Sequence, residues 1–237
     1  MKRLVITLAS IVAACVLLLV LRAVYTLYTV GSFRKAWLAG ISQPTNEGSV
    51  VLAVLGDSTA QGIGGFKKED GFVGQVAARI SVKTKKPVQI YNYSLSGGDS
   101  DDVLKNQLPA FKKLERYDVV LIAVGPNDIT HKKNLKDFLS NYEKIFAQLP
   151  AEKVVISNMP PMGPKDVNGN SSLDWSRAIV PLANKYNVSV AKVYENIAPR
   201  ANDVRTYGGD FYHPSKEGYR LWANAFTPPV EAVLKIK

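Results

Sequence analysis

V-V-L-A-V-L-G-D-S-T-A-Q-G, residues 50–62, decides the fold. Its first six residues form a short apolar run rich in valine and leucine. Such a run suits a strand buried on both faces, as in a parallel sheet. The run stops at Gly56-Asp57-Ser58. Alone, those three residues are an ordinary turn, because glycine, aspartate and serine all favour turns. At the carboxyl end of a parallel strand the same turn holds a serine hydroxyl on the edge where ligands collect in open α/β sheets.

Working outward, strands are expected at 50–55, 88–93, 118–124, 153–157 and 188–193. Between them Phe72, Val73, Val76, Ala77 and Ile80 recur at helical spacing. Helices are also read from Ser100 to Phe111, over 135–149 and 171–186, and from Ser215 until a break at Pro228-Pro229. The first of these opens on Ser100, Asp101 and Asp102, whose oxygens suit the free N–H groups of a helix start. Strands therefore alternate with helices five times, which predicts a three-layer α/β domain with a parallel sheet. Glycine-rich residues 59–70 and the Pro/Gly-rich stretch 158–170 read as loops that could shape a groove.

Residues 1–30 read as a membrane anchor or signal segment. A basic head, Lys2-Arg3, precedes Leu4–Leu21, 18 residues without a charge. At helical rise this run spans about 27 Å, close to a bilayer's hydrocarbon core. No small-x-small cleavage site closes it. The lipoprotein-like Val12-Ala13-Ala14-Cys15 lies in mid-run, where such a box does not end the apolar stretch. An uncleaved transmembrane helix is the expectation, with the folded domain outside the cytoplasm, or secreted if the segment is removed. Residues 31–49 read as a linker, with Trp37 and Leu38 resting on the membrane surface or the domain.

Composition narrows the chemistry. The net charge is +10, but the first 35 residues supply five of the basic side chains and no acid. The remaining excess is spread along the chain without an aromatic-interleaved basic patch, so no nucleic-acid partner is expected. One cysteine, Cys15, permits neither an internal disulfide nor a cysteine-built zinc site. Oxygen-only metal sites need more ligands than Asp99, Asp101 and Asp102 offer, and these read as helix caps. The two histidines are His131 and His213. The first reads as a solvated residue in a basic loop.

After the first strand comes Ser58, after the second Gly97, after the third Asn127, and after the fifth Asp210 and His213. In a parallel sheet these loops open on one edge. Their residue types are those that acyl transfer requires. A serine needs a base to become nucleophilic, and histidine serves near neutral pH. A carboxylate fixes the imidazole, and amide donors hold the oxyanion.

The ordered set Gly-Asp-Ser, Asn…Ser-Gly, Gly-x-Asn-Asp and Asp-x-x-His resembles the SGNH, or GDSL-like, hydrolase family. The likeness runs from about residue 50 to the end, and 50–237 is read as the hydrolase domain. It implies a flavodoxin-like sheet of order 2-1-3-4-5 and serine esterase or lipase activity without a cofactor or metal. Ser58 matches the nucleophile, Asp210 and His213 the last block, and Ser58, Gly97 and Asn127 the oxyanion donors, with Gly98 one residue from Gly97. Thr59, where leucine is frequent, and Pro126 depart from the pattern without removing a reacting group. The α/β-hydrolase elbow Gly-x-Ser-x-Gly is absent, because Ala60 stands at its last position. Joined to the amino-terminal anchor, the implied activity makes the expectation a membrane-anchored serine ester hydrolase acting on lysophospholipid-like lipid or short-chain acyl or acetyl esters. Acyl transfer to an envelope polysaccharide and a silent binding module are the alternatives.

Overall fold

The computed structural model describes residues 2–42, 46–162 and 172–236. The later part of the expected 158–170 loop and residues 43–45 of the expected linker lie outside them. Five strands, β1 (Val50–Gly56), β2 (Val88–Asn92), β3 (Val119–Ala123), β4 (Val154–Ser157) and β5 (Ser189–Ala191), form one sheet. Their order is β2-β1-β3-β4-β5 and every pairing is parallel. The sheet thus has the expected 2-1-3-4-5 order.

Strand geometry explains the two cores. Alternate residues point to opposite faces of a strand. Val50, Leu52 and Val54 face a cluster with Phe72, Tyr219, Trp222 and Phe226, contributed by α3 (Phe72–Thr84) and α10 (Lys216–Val233). Val51, Ala53 and Leu55 face another with Phe111, Phe138, Tyr142 and Trp175. That side is covered by α5 (Leu108–Phe111), α7 (Leu135–Phe146) and α8 (Ser172–Lys185). The apolar positions 72, 73, 76, 77 and 80, read from their spacing, are all buried on α3.

Several local expectations differ from what forms. The start of the expected loop 59–70 is instead part of a helical turn, α2 (Ser58–Gln61), capped by the Asp57 side chain. The helix read as Ser100–Phe111 is interrupted. Its first turn, α4 (Ser100–Asp102), is capped by Asp99 and passes into a π-turn over Val103–Gln107 before α5. Pro109 has no N–H to give the carbonyl four residues back, which favours a widened ladder there. Pro228-Pro229 do not break α10, which continues to Val233. Phe226 and Val230, on either side of the prolines, are fully buried, and that packing outweighs the lost ladder bonds. Short helices α6 (Pro126–Thr130) and α9 (Val193–Ile197) complete the set.

The largest departure is at the amino terminus. Helix α1 runs from Lys2 to Ile41, through most of the stretch read as linker. A single interior glycine such as Gly31 costs a helix about 1 kcal/mol, and burial of Phe33 and Trp37 against Ile63 offsets it. Among the described residues α1 is the one helix long and apolar enough to cross a membrane.

Candidate active site

Gly56 closes β1 with φ +153°, and a Cβ there would collide with the Ala123 carbonyl oxygen of β3. Only glycine lets the two strands approach this closely while the chain turns. The turn leaves Ser58 at the carboxyl edge of the sheet, as the first residue of α2. Gln107 braces the turn from the π-segment. Its side chain accepts from Gly56 N–H (2.8 Å) and donates to Gly56 O (2.9 Å).

His213 Nε2 lies 2.8 Å from Ser58 Oγ, and His213 Nδ1 lies 2.6 Å from Asp210 Oδ2. The other Asp210 oxygen accepts from the backbone N–H groups of Tyr212 and His213, both at 3.0 Å. Both carboxylate oxygens are therefore engaged, which fixes the acid against the ring. Burial pushes the Asp210 pKa up. The bond and charge of His213 and the two backbone donors outweigh it and hold the group below the usual carboxylate range. The Tyr212 ring stands edge-on to the imidazole, centroids 5.0 Å apart.

Asn127, the second residue of α6 beyond β3, donates from Nδ2 to Gly98 O (2.8 Å). An amide nitrogen carries two hydrogens, so a second donor remains. The two glycines separate clearly. Gly98 N–H closes a turn onto Leu95 O (2.8 Å), with Gly97 at φ +77° inside it. Gly97 is the one whose N–H the turn does not use.

Ser58, Asn127 and His213 line a cavity of about 430 Å³, a volume typical of small-molecule sites. Pro160, Pro161, Met162, Ile197 and Trp222 give it mainly apolar walls. All five sequence-predicted site residues lie at this edge of the sheet, Ser58 and Asn127 in the short helices α2 and α6 and the other three on loops. Ser58, Asp210 and His213 form one hydrogen-bonded chain, and Asn127 meets the glycine loop through Gly98. His131 is apart from the cavity, with Nδ1 3.1 Å from Asp99 Oδ2.

Two supports were not read from the sequence, Gln107 and Gln61. A third, Asn92, is the asparagine of the Asn…Ser-Gly motif, read there without a role. Asn92 Nδ2 donates to Ala60 O (2.7 Å), while Gln61 Nε2 donates to Ser94 O (2.8 Å) and Gln61 Oε1 accepts from Ser96 Oγ (2.6 Å). Together they tie α2 to the glycine loop. Asp128 is buried beside Asn127. It accepts from the distant Ser100 N–H (3.0 Å), joining α6 to α4.

Asp57 is fully enclosed and accepts from Thr59 N–H (2.8 Å) and Oγ (2.7 Å). Burial pushes its pKa up to about 6, against the lowering effect of Thr59 and His213. The folded chain then holds a proton that the unfolded chain has already released. Stability contributed by this group therefore falls as pH rises from about 4 to about 6. Asp57→Asn keeps an oxygen for Thr59 and removes the titration. Urea unfolding across that window is expected to show a flatter pH dependence for the variant, and parallel profiles would discount the assignment.

A parallel sheet presenting a serine, an imidazole and a carboxylate on its carboxyl edge is an arrangement suited to ester hydrolysis. Residues 54–221 match the family model of the GDSL-like Lipase/Acylhydrolase family, and the chain belongs to that family. It is a carboxylic ester hydrolase of the GDSL type. A curated relative, the uncharacterized protein YpmR of Bacillus subtilis (strain 168), is 26% identical over 202 residues, covering 73% of this chain and 78% of its own length. The fold is similar to that of the lipase/acylhydrolase from Enterococcus faecalis (TM-score 0.63, 19% identity, 79% of this chain and 97% of that one). It is also similar to that of a lipolytic G-D-S-L family protein from Veillonella parvula DSM 2008 (TM-score 0.62, 20% identity, 76% and 100%).

Proposed function

We propose that the protein is a membrane-anchored serine ester hydrolase that works through an acyl-enzyme on lipid or short-chain acyl esters. The observation that carries this reading is the unbroken chain from Ser58 Oγ through the His213 ring to Asp210. With its proton on Nδ1, bonded to Asp210, the imidazole presents the Nε2 lone pair to Ser58. Ser58 Oγ attacks the ester carbonyl carbon as Nε2 takes its proton, and the carbonyl π pair moves onto oxygen. Ser58 N–H, Gly97 N–H and the second Asn127 N–H are the donors assigned to that oxyanion. Collapse breaks the bond to the alcohol oxygen, which leaves with the proton from His213. Water then attacks the acyl-serine by the same route, releasing the acid and restoring Ser58.

The apolar cavity walls favour an acyl chain beside the reacting carbon. The exposed run Leu4–Leu21 of α1 supports the anchor, since its length matches a bilayer core. On this reading the catalytic domain lies outside the cytoplasm. A fluorophosphonate probe tests the chemistry. It is expected to form one covalent adduct, mapped by mass spectrometry to the peptide carrying Ser58. An adduct elsewhere, or none on folded protein, would refute the nucleophile.

A further inference from the structure

Helix α1 docks on the domain in an order that sets the domain's orientation. Near its carboxyl end, Gly40 lies against the β2 backbone, 3.7 Å from Ile90 O to an ideal Cβ. Toward the amino end, Trp37 Nε1 donates to Gln61 O (3.1 Å) in α2. Arg34 donates to the carbonyls of Tyr93 and Ser94, just past the end of β2. Tyr25 OH donates to Phe66 O (2.6 Å). Finally, Arg22 presses on the catalytic turn, where a Cβ on Gly209 would fall 2.6 Å from Arg22 O. The helix therefore runs antiparallel to the strands, from the sheet toward its carboxyl edge and out past the catalytic loops.

Beyond Arg22 in that direction lies the uncharged run Leu21 to Leu4, all of it exposed. The apolar helix thus leaves the domain on the side that carries Ser58 and His213. Two phenylalanines stand out there. Phe66 is 72% exposed and its ring lies 6.1 Å from that of Tyr25. Phe211 is 58% exposed, two residues beyond Gly209, and lines the catalytic cavity. Tyr25 is four residues from the end of the uncharged run, about 6 Å along the helix. Both rings are consequently held at the level where a bilayer's interfacial layer begins, a position aromatic side chains favour.

We infer that the carboxyl edge of the sheet faces the bilayer, with Phe66 and Phe211 seated in its interfacial layer and the catalytic cavity opening onto the lipid. The ester then enters from the membrane rather than from bulk water, which makes membrane-resident acyl lipids the substrate class. This rests on α1 being the membrane anchor proposed above. The continuity of α1 from the catalytic loops into the apolar run selects the bilayer as the occupant of this surface.

The test uses the full chain with its one cysteine removed by Cys15→Ala. A single environment-sensitive fluorophore is placed through Phe66→Cys or, separately, through Lys113→Cys. Lys113 is exposed and precedes β3, at the opposite edge of the sheet. Each protein is reconstituted in phosphatidylcholine–phosphatidylglycerol vesicles, floated on a density gradient and checked for native circular dichroism. Lipids carrying a quencher near the headgroup are then added. The expected result is flotation of both proteins, with several-fold stronger quenching at position 66 than at 113. Flotation with equal quenching, or with stronger quenching at 113, would overturn the orientation while leaving the anchor standing. Failure to float would instead overturn the anchor, and the orientation with it.

Discussion

Ser58→Ala is expected to lower kcat on a p-nitrophenyl ester by about 10⁴–10⁶, with KM little changed. The hydroxyl oxygen is the only heavy atom removed, so binding in the apolar cavity is left intact while the nucleophile is lost. His213→Ala is expected to cost about as much, because a serine whose proton has no acceptor at 2.8 Å is a weak nucleophile. The double variant is expected to be no worse than either single one, since the two groups act as a unit. Residual turnover then comes from polarisation of the carbonyl by donors that do not depend on either side chain. Steady-state rates and an active-site titration read all three. A Ser58→Ala enzyme within about tenfold of the parent would place the nucleophile elsewhere, given how much a lost nucleophile costs.

Asp210→Asn is expected to lower kcat by about 10⁴ near neutral pH while the fold persists. The reason lies in the two oxygens of the carboxylate. Oδ1 accepts from the N–H groups of Tyr212 and His213. An asparagine keeps its single oxygen there and turns its NH₂ toward the ring. Nδ1 must then accept, so the imidazole proton moves to Nε2, pointing at Ser58, and no lone pair remains to take the hydroxyl proton. Nitrogen-15 NMR of the imidazole, with His131→Gln to leave one ring, reads the tautomer directly. A large rate loss with Nδ1 still protonated would refute this account. The acid also has a stability signature opposite to that of Asp57. Its lowered pKa contributes stability at pH values above the ordinary carboxylate range, and that contribution is lost as pH falls through the lowered value.

Much of the reacting set could be read from the chain because each residue sits just after a buried strand. A run such as Val119–Ala123 is conspicuous in sequence, and a parallel sheet sends every strand's carboxyl end to the same edge. Sheet order came from the family likeness rather than from the runs themselves. The braces were hidden for a different reason. Gln107 was read in a helix and Gln61 in a loop, both places where glutamine is an unremarkable surface residue, and only tertiary packing turns their amides inward. Pro228-Pro229 carry a strong local breaking signal, yet the buried aromatic contact of Phe226 with Phe72, ring centroids 4.6 Å apart, holds the helix through them. The last eleven residues of α1, 31–41, were read as linker because glycine, serine and scattered charges conceal a helical spacing. Phe33 and Trp37 lie four residues apart, a spacing that makes them neighbours on a single helix face.

That last contact redraws where the folded unit begins. Trimming the chain at Val50, where the first strand starts, would strip Phe33 and Trp37 from Ile63 and uncover a hydrophobic seam next to the nucleophile turn. It would also leave the Gln61 and Ser94 carbonyls without the donors that Trp37 and Arg34 supply. A form meant to keep its shape should be cut ahead of Arg22, so that the half of α1 that packs on the domain travels with the enzyme.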